Sequence, residues 1–117
     1  MIVNINGNTF EVKLAVTLNA IRQGMQGKRF DDTYNGLLFL MPKDDNHSFG
    51  MKNCLIPLDI IFIKDNMIST LHVNCEPCSE EICQSYTGNG SFVLEVPGGT
   101  CNRLGIKKGD RIEMKLY

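Results

Sequence analysis

Four potential metal or redox donors fall within twelve residues: His72-x-x-Cys75-x-x-Cys78-x4-Cys83. Imidazole and thiolate groups so spaced can close a tetrahedral zinc site, and a Cys-x-x-Cys pair also serves thiol–disulfide exchange. Only one Cys-x-x-Cys is present, whereas a zinc ribbon uses two. His72 lies in a stretch that alternates like a strand, where a solvated histidine is an equal reading. Metal, redox pair and inert thiols therefore all remain open on spacing alone, and no residue is assigned as a metal ligand. The chain holds 5 cysteines, so at least one thiol is unpaired within a monomer. Cys54 reads as a small apolar filler. The second histidine, His47, belongs to a charged connection, and nothing in the sequence brings a Cys–His pair together.

The next chemical feature is a lone acid. Residues 58–63 read Leu-Asp-Ile-Ile-Phe-Ile, a run rich in β-branched side chains that reads as a strand buried on both faces. Side chains alternate along a strand, so Asp59 shares a face with Ile61 and Ile63. A dry, unpaired carboxylate there is costly. Asp59 is expected to find Lys52, an arginine, or backbone N–H groups of the bend at 53–57, which Pro57 enforces. The alternative is an acid that transfers a proton or contacts a ligand.

The flanking segments supply the frame. The Asn6-Gly7 pair between 2–5 and 9–14 predicts a tight hairpin. Thr17 is placed to cap one short helix over 18–25, with Leu18, Ile21 and Met25 on one side and Arg22 on the other. Strands are expected over 36–41 and 48–53, pairing across a charged tip. Another hairpin joins 58–63 to 67–73 through Lys64-Asp65-Asn66. An irregular cysteine segment over 74–86 leads to a strand over 91–96, then a helical turn capped by Thr100, and a closing strand over 111–116. Many short strands with little helix predict a mainly β single domain over 1–117, sandwich-, jelly-roll- or barrel-like.

The motif Met51-Lys52-Asn53-x-Leu55-Ile56-Pro57-Leu58-Asp59-Ile60-Ile61-Phe62 resembles the core of the DUF192 family, small domains of unassigned function. Further segments agree in order: Thr17 with Arg22-x-Gly24-Met25; Gly36-Leu37-Leu38-Phe39; Cys78…Cys83…Tyr86; Val93-Leu94-Glu95-Val96; and Gly105 to Asp110. The chain departs at Gly50, where the family usually carries tryptophan, and at Cys54, usually threonine. The resemblance implies a compact β-rich fold and no established activity. It matches Cys78 and Cys83 rather than all four donors, which favours a disulfide or paired-thiol clip between those two.

Composition narrows the classes. A net charge of −1, with no block of like charges, argues against a strong electrostatic grip on nucleic acid. No apolar run is long enough to insert into a membrane as a helix. The first residues lack the basic start and apolar core of a secretory signal, the pattern of a cytoplasmic protein if the chain is complete. Gly98-Gly99 and Gly105…Gly109 are turn glycines rather than a phosphate loop, and no cofactor motif is found. The expected function is a non-enzymatic module that binds a small molecule or a protein partner through the surface around 51–59. Arg22, Met51, Lys52, Asn53, Asp59 and Tyr86 are the candidate contacts. A hydrolytic or thiol-redox enzyme and a cysteine-stabilised structural module are the rivals.

Overall fold

The computed structural model describes residues 1–115. Its strands are β1 (Ile2–Ile5), β2 (Asn8–Ala15), β3 (Gly36–Gly50), β4 (Leu58–Lys64), β5 (Met67–Cys75), β6 (Ser85–Pro97) and β7 (Ile112–Lys115). Two short helices, α1 (Leu18–Gln23) and α2 (Thr100–Leu104), complete the elements. The strands form one seven-stranded sheet in the order β5-β4-β6-β3-β2-β1-β7, curled into a half-barrel. The mainly β expectation holds, in its barrel-like form.

Local chemistry explains the hairpins. Asn6 and Gly7 both take positive φ, 52° and 80°, the conformation a two-residue hairpin turn demands. Asp65 and Asn66 do the same at 53° and 60° between β4 and β5. Thr17 caps α1 by accepting a hydrogen bond from the Ala20 amide at 3.1 Å. Gly24 ends the helix two residues earlier than expected, at φ 50° and ψ −130°. Leu18 is 60% exposed, so α1 lies on the surface.

Two expectations about strand extent and pairing fail. Residues 36–41 and 48–53 do not pair with each other. They belong largely to one long strand, β3, whose partner along its length is β6. A register shift between Leu40 and Asp45 absorbs Pro42 and the charged residues behind it. The cysteine segment is likewise shorter than expected, because β6 begins at Ser85. Gly88 permits this: a Cβ there would lie 2.3 Å from Phe62 Cγ. The closing strand is β7, and position 116 of the expected range lies outside the described residues.

Strand β4 is buried along nearly its whole length, between β5 and β6. Its alternation divides the core. Ile61 and Ile63 join Leu38, Leu94, Val96, Cys101 and Ile106 on one face. Leu58, Ile60 and Phe62 join Leu37, Phe39, Met51, Cys54, Cys75 and Val93 on the other. The first face is covered by α2 and the β1–β7 end; the second by the segment after α1 and the bend after β3.

Candidate functional site

The bend that follows β3 is held by backbone bonds on two sides. Asn53 takes φ 59°, its amide donates to the Cys78 carbonyl at 3.0 Å, and its carbonyl accepts from the Gly27 amide at 3.0 Å. The Cys78 amide donates to Met51 at 3.1 Å. Cys78 and Cys83 are joined by a disulfide. Lys52 extends along that loop and donates to the Glu81 carbonyl at 3.2 Å. The bend is therefore stitched to the segment after α1 on one side and to the disulfide loop on the other.

Between the bend, α1 and β3 lies a pocket of about 270 Å³. Its walls carry Ile21, Arg22 and Gln26 from the α1 side; Phe39, Met41, His47, Phe49 and Gly50 from β3; and Lys52 and Cys54 from the bend. Glu95, from β6, also lines it and is only 3% exposed. Its position is set by register: Glu95 stands opposite Leu37 on one neighbouring strand and Ile60 on the other, on the same face as Val93. Gly24 lies over this region, where an added methyl group would be 3.3 Å from Phe39 Cζ and 3.8 Å from Glu95 Oε1.

Glu95 has no hydrogen-bond or ion-pair partner among the described residues. Burial among apolar side chains, with nothing to stabilise its charge, pushes its carboxyl up to about 8 from the usual 4.5. At neutral pH it is mostly the neutral acid. Burial likewise pushes the nearby Cys54 thiol up to about 11, helped by the Glu95 charge. Cys54 is thus a thiol rather than a nucleophilic thiolate at neutral pH.

Of the six candidate contacts, only Arg22 and Lys52 line this pocket, and both are exposed. Met51 is a core residue, 1% exposed. Asn53 acts through its backbone. Tyr86 faces a separate shallow surface beside the disulfide, with Glu76, Gln84 and Met51. Asp59 points to the opposite face of the sheet. Its Oδ1 accepts from the amides of Asn74 at 2.8 Å and Gly99 at 3.2 Å, and its Oδ2 from that of Cys101 at 2.8 Å. The donors are the α2 start and the end of β5, not the bend at 53–57. Asp59 therefore caps α2, the role the sequence suggested for Thr100; the α2 N-terminus has no capping side chain of its own.

The four donors of the cysteine segment do not converge. Cys75 is buried and free, and His72 Nε2 sits 2.8 Å from the Thr87 carbonyl. Glu95 is the residue that sequence reasoning passed over. Its signal was the one used for Asp59: a single acid in a strand with apolar residues on both faces.

A family model matches residues 1–114: DUF192, described as "Uncharacterized ACR". The chain belongs to the DUF192 family. A crystal structure of a protein of unknown function from Novosphingobium aromaticivorans is similar, at 34% identity and TM-score 0.84. The alignment covers 97% of this chain and 84% of that one. A second, from Sinorhizobium meliloti and described as a candidate transcription regulator, shares 33% identity at TM-score 0.81 over 96% of this chain and 91% of its own. No curated protein matches. Gly50 also lies on the pocket wall, where an added Cβ would meet nothing within 4 Å. No helix among the described residues is long and apolar enough to cross a membrane.

Proposed function

We propose that this DUF192 domain is a non-enzymatic binding module for a small organic ligand, and that the ligand enters the pocket between α1, β3 and the bend at 50–54. The observation that carries this reading is Glu95, a buried carboxyl group with no partner among the described residues, opening into a pocket. Among the described residues no side-chain nitrogen or oxygen sealed from solvent lacks a hydrogen-bond partner, so the Glu95 carboxyl meets the pocket interior, where solvent or a ligand completes it. A few directed polar groups in an apolar recess are the usual make-up of a small-molecule site. Of the surface around 51–59, Lys52 belongs to the site; Asp59 belongs to the architecture.

An enzymatic reading draws on the same residue, since an acid titrating near neutrality suits proton transfer. Binding is favoured because the one cysteine on the pocket wall is held as a thiol. The test is a fragment titration followed in the amide ¹H–¹⁵N spectrum. Shifts should gather on Gly24, Gln26, Ser48 and Lys52, and weaken in Glu95→Gln. Shifts gathered instead around Tyr86 and Cys83, or none at all, would overturn the proposal. Turnover of a fragment that binds would move the reading to the enzyme.

A further inference from the structure

The pocket is electrically lopsided. Its floor carries one acid, Glu95. The titratable groups facing that acid are Arg22 from α1, His47 from β3, Lys52 and Cys54 from the bend, and Cys75 from β5. Two of these are engaged elsewhere: the Lys52 ammonium on the Glu81 carbonyl, and His47 Nε2 on the Lys43 carbonyl at 2.8 Å. Arg22 has no acidic partner among the described residues. The pocket thus holds one acid at its floor and, at its exposed rim, two cations without an acidic partner among the described residues, of which Arg22 alone has no hydrogen bond to a carbonyl that holds it elsewhere.

We propose that the ligand is a small zwitterion of amino-acid size, its ammonium group on Glu95 and its carboxylate on Arg22. This rests on the binding reading above and names the ligand class. A simple amine would meet Glu95 but lie beneath cationic side chains. A simple carboxylate would satisfy Arg22 and leave Glu95 unpaired. A molecule with both charges completes both ends. Phe39 and Phe49, whose rings meet edge-to-face at 4.9 Å, line the same pocket and give it an apolar wall for the carbon chain between the two charges. The volume, about 270 Å³, is just below the roughly 300–1,000 Å³ of sites for drug-sized ligands. That suits an amino acid better than a nucleotide.

In the empty pocket Glu95 holds its proton. When the ammonium group arrives, the proton leaves to solvent and a carboxylate–ammonium pair remains. Binding should therefore release about one proton at pH 6.5, and affinity should rise about tenfold per pH unit up to about 8. A carboxylate that accepted the Glu95 proton in a hydrogen bond would show the opposite slope, with affinity level below about 8 and falling above it.

The experiment is isothermal titration of the whole chain in two buffers of different ionisation enthalpy. The probes are glycine, alanine, β-alanine, γ-aminobutyrate and 5-aminovalerate, with propylamine and butyrate as single-charge controls. At least one amino acid should bind with proton release, ten times tighter than either control. Glu95→Gln and Arg22→Gln should each weaken that binding at least tenfold while keeping the native amide spectrum. Equal binding of propylamine or butyrate, or proton uptake, would overturn the proposal. If every amino acid fails while neutral fragments still shift Gly24 and Ser48, the ligand class is wrong and the pocket reading stands. If the pocket is silent to all of them, both fall.

Discussion

Asp59 and Glu95 are two buried acids on adjacent strands, in neighbouring rows of one register: Asp59 pairs with Val96 and Ile60 with Glu95. They face opposite sides of the same sheet. Asp59 accepts three backbone amide hydrogens and ties β5 and α2 to β4. Glu95 accepts none and opens into a pocket. The same residue chemistry, at nearly the same depth, is architecture on one face and, on the other, a pocket-facing group that only solvent or a ligand can complete. What separates them is the supply of donors. A helix N-terminus provides free amides on the Asp59 side, whereas Phe39, Met25 and Cys54 provide none around Glu95.

Substitution at each acid tests the difference. Asp59→Asn should have the largest effect. Its amide group would turn a donor toward one of the donors that Asp59 now satisfies, so a loss of about 3 kcal/mol is expected in urea unfolding. A loss below about 1 kcal/mol would show that the three amide bonds matter little. Glu95→Gln should do the reverse. The Glu95 carboxyl is raised in the folded chain, to about 8 from 4.5. Stability is therefore full below 4.5, declines as the unfolded chain ionises, and levels off above about 8. Removing the charge should gain about 2 kcal/mol at pH 9 and nothing at pH 4, the gain being capped because a buried amide is also unpaired. A stability loss at both pH values would erase the contrast between the two acids.

Gly24→Ala probes the pocket side without touching a charge. The backbone conformation there is one that alanine avoids, and the new methyl group would press on Phe39. A cost of about 1 kcal/mol is expected, with weaker ligand binding because the methyl group also approaches Glu95. Lys52→Ala is the smallest change. Its hydrogen bond to Glu81 is exposed, so melting should shift by no more than about 0.5 kcal/mol in equivalent stability. A larger loss would mean that the disulfide loop is held by Lys52 rather than by the Asn53–Cys78 backbone bonds.

Much of this fold is written locally. Asn6-Gly7 and Asp65-Asn66 specify hairpins through backbone conformations few other residues accept, and the 58–63 run declares itself through β-branched side chains. The long β3 strand is not written locally. Pro42 and the polar residues after it read as a break, yet β6 offers a partner on both sides of the irregularity, and tertiary pairing overrides the local signal. Of the site, Arg22 and Lys52 were legible as polar residues in an apolar frame. Parity marked Asp59 as an acid needing partners but could not say that they would come from residues 15, 40 and 42 positions away. Parity applies equally to Glu95. Which of two acids finds donors is decided by what packs above each face, and that is a property of the fold rather than of the strand.

The protonation state of Glu95 separates the two faces of the sheet, and its carboxyl carbon reports that state directly. A ¹³C-detected pH titration of the ligand-free protein should place its midpoint near 8, with Glu95→Gln removing the signal that moves. A midpoint near 4.5 would mean that the carboxylate is already satisfied in the empty pocket, and the distinction between the two faces of the sheet would disappear.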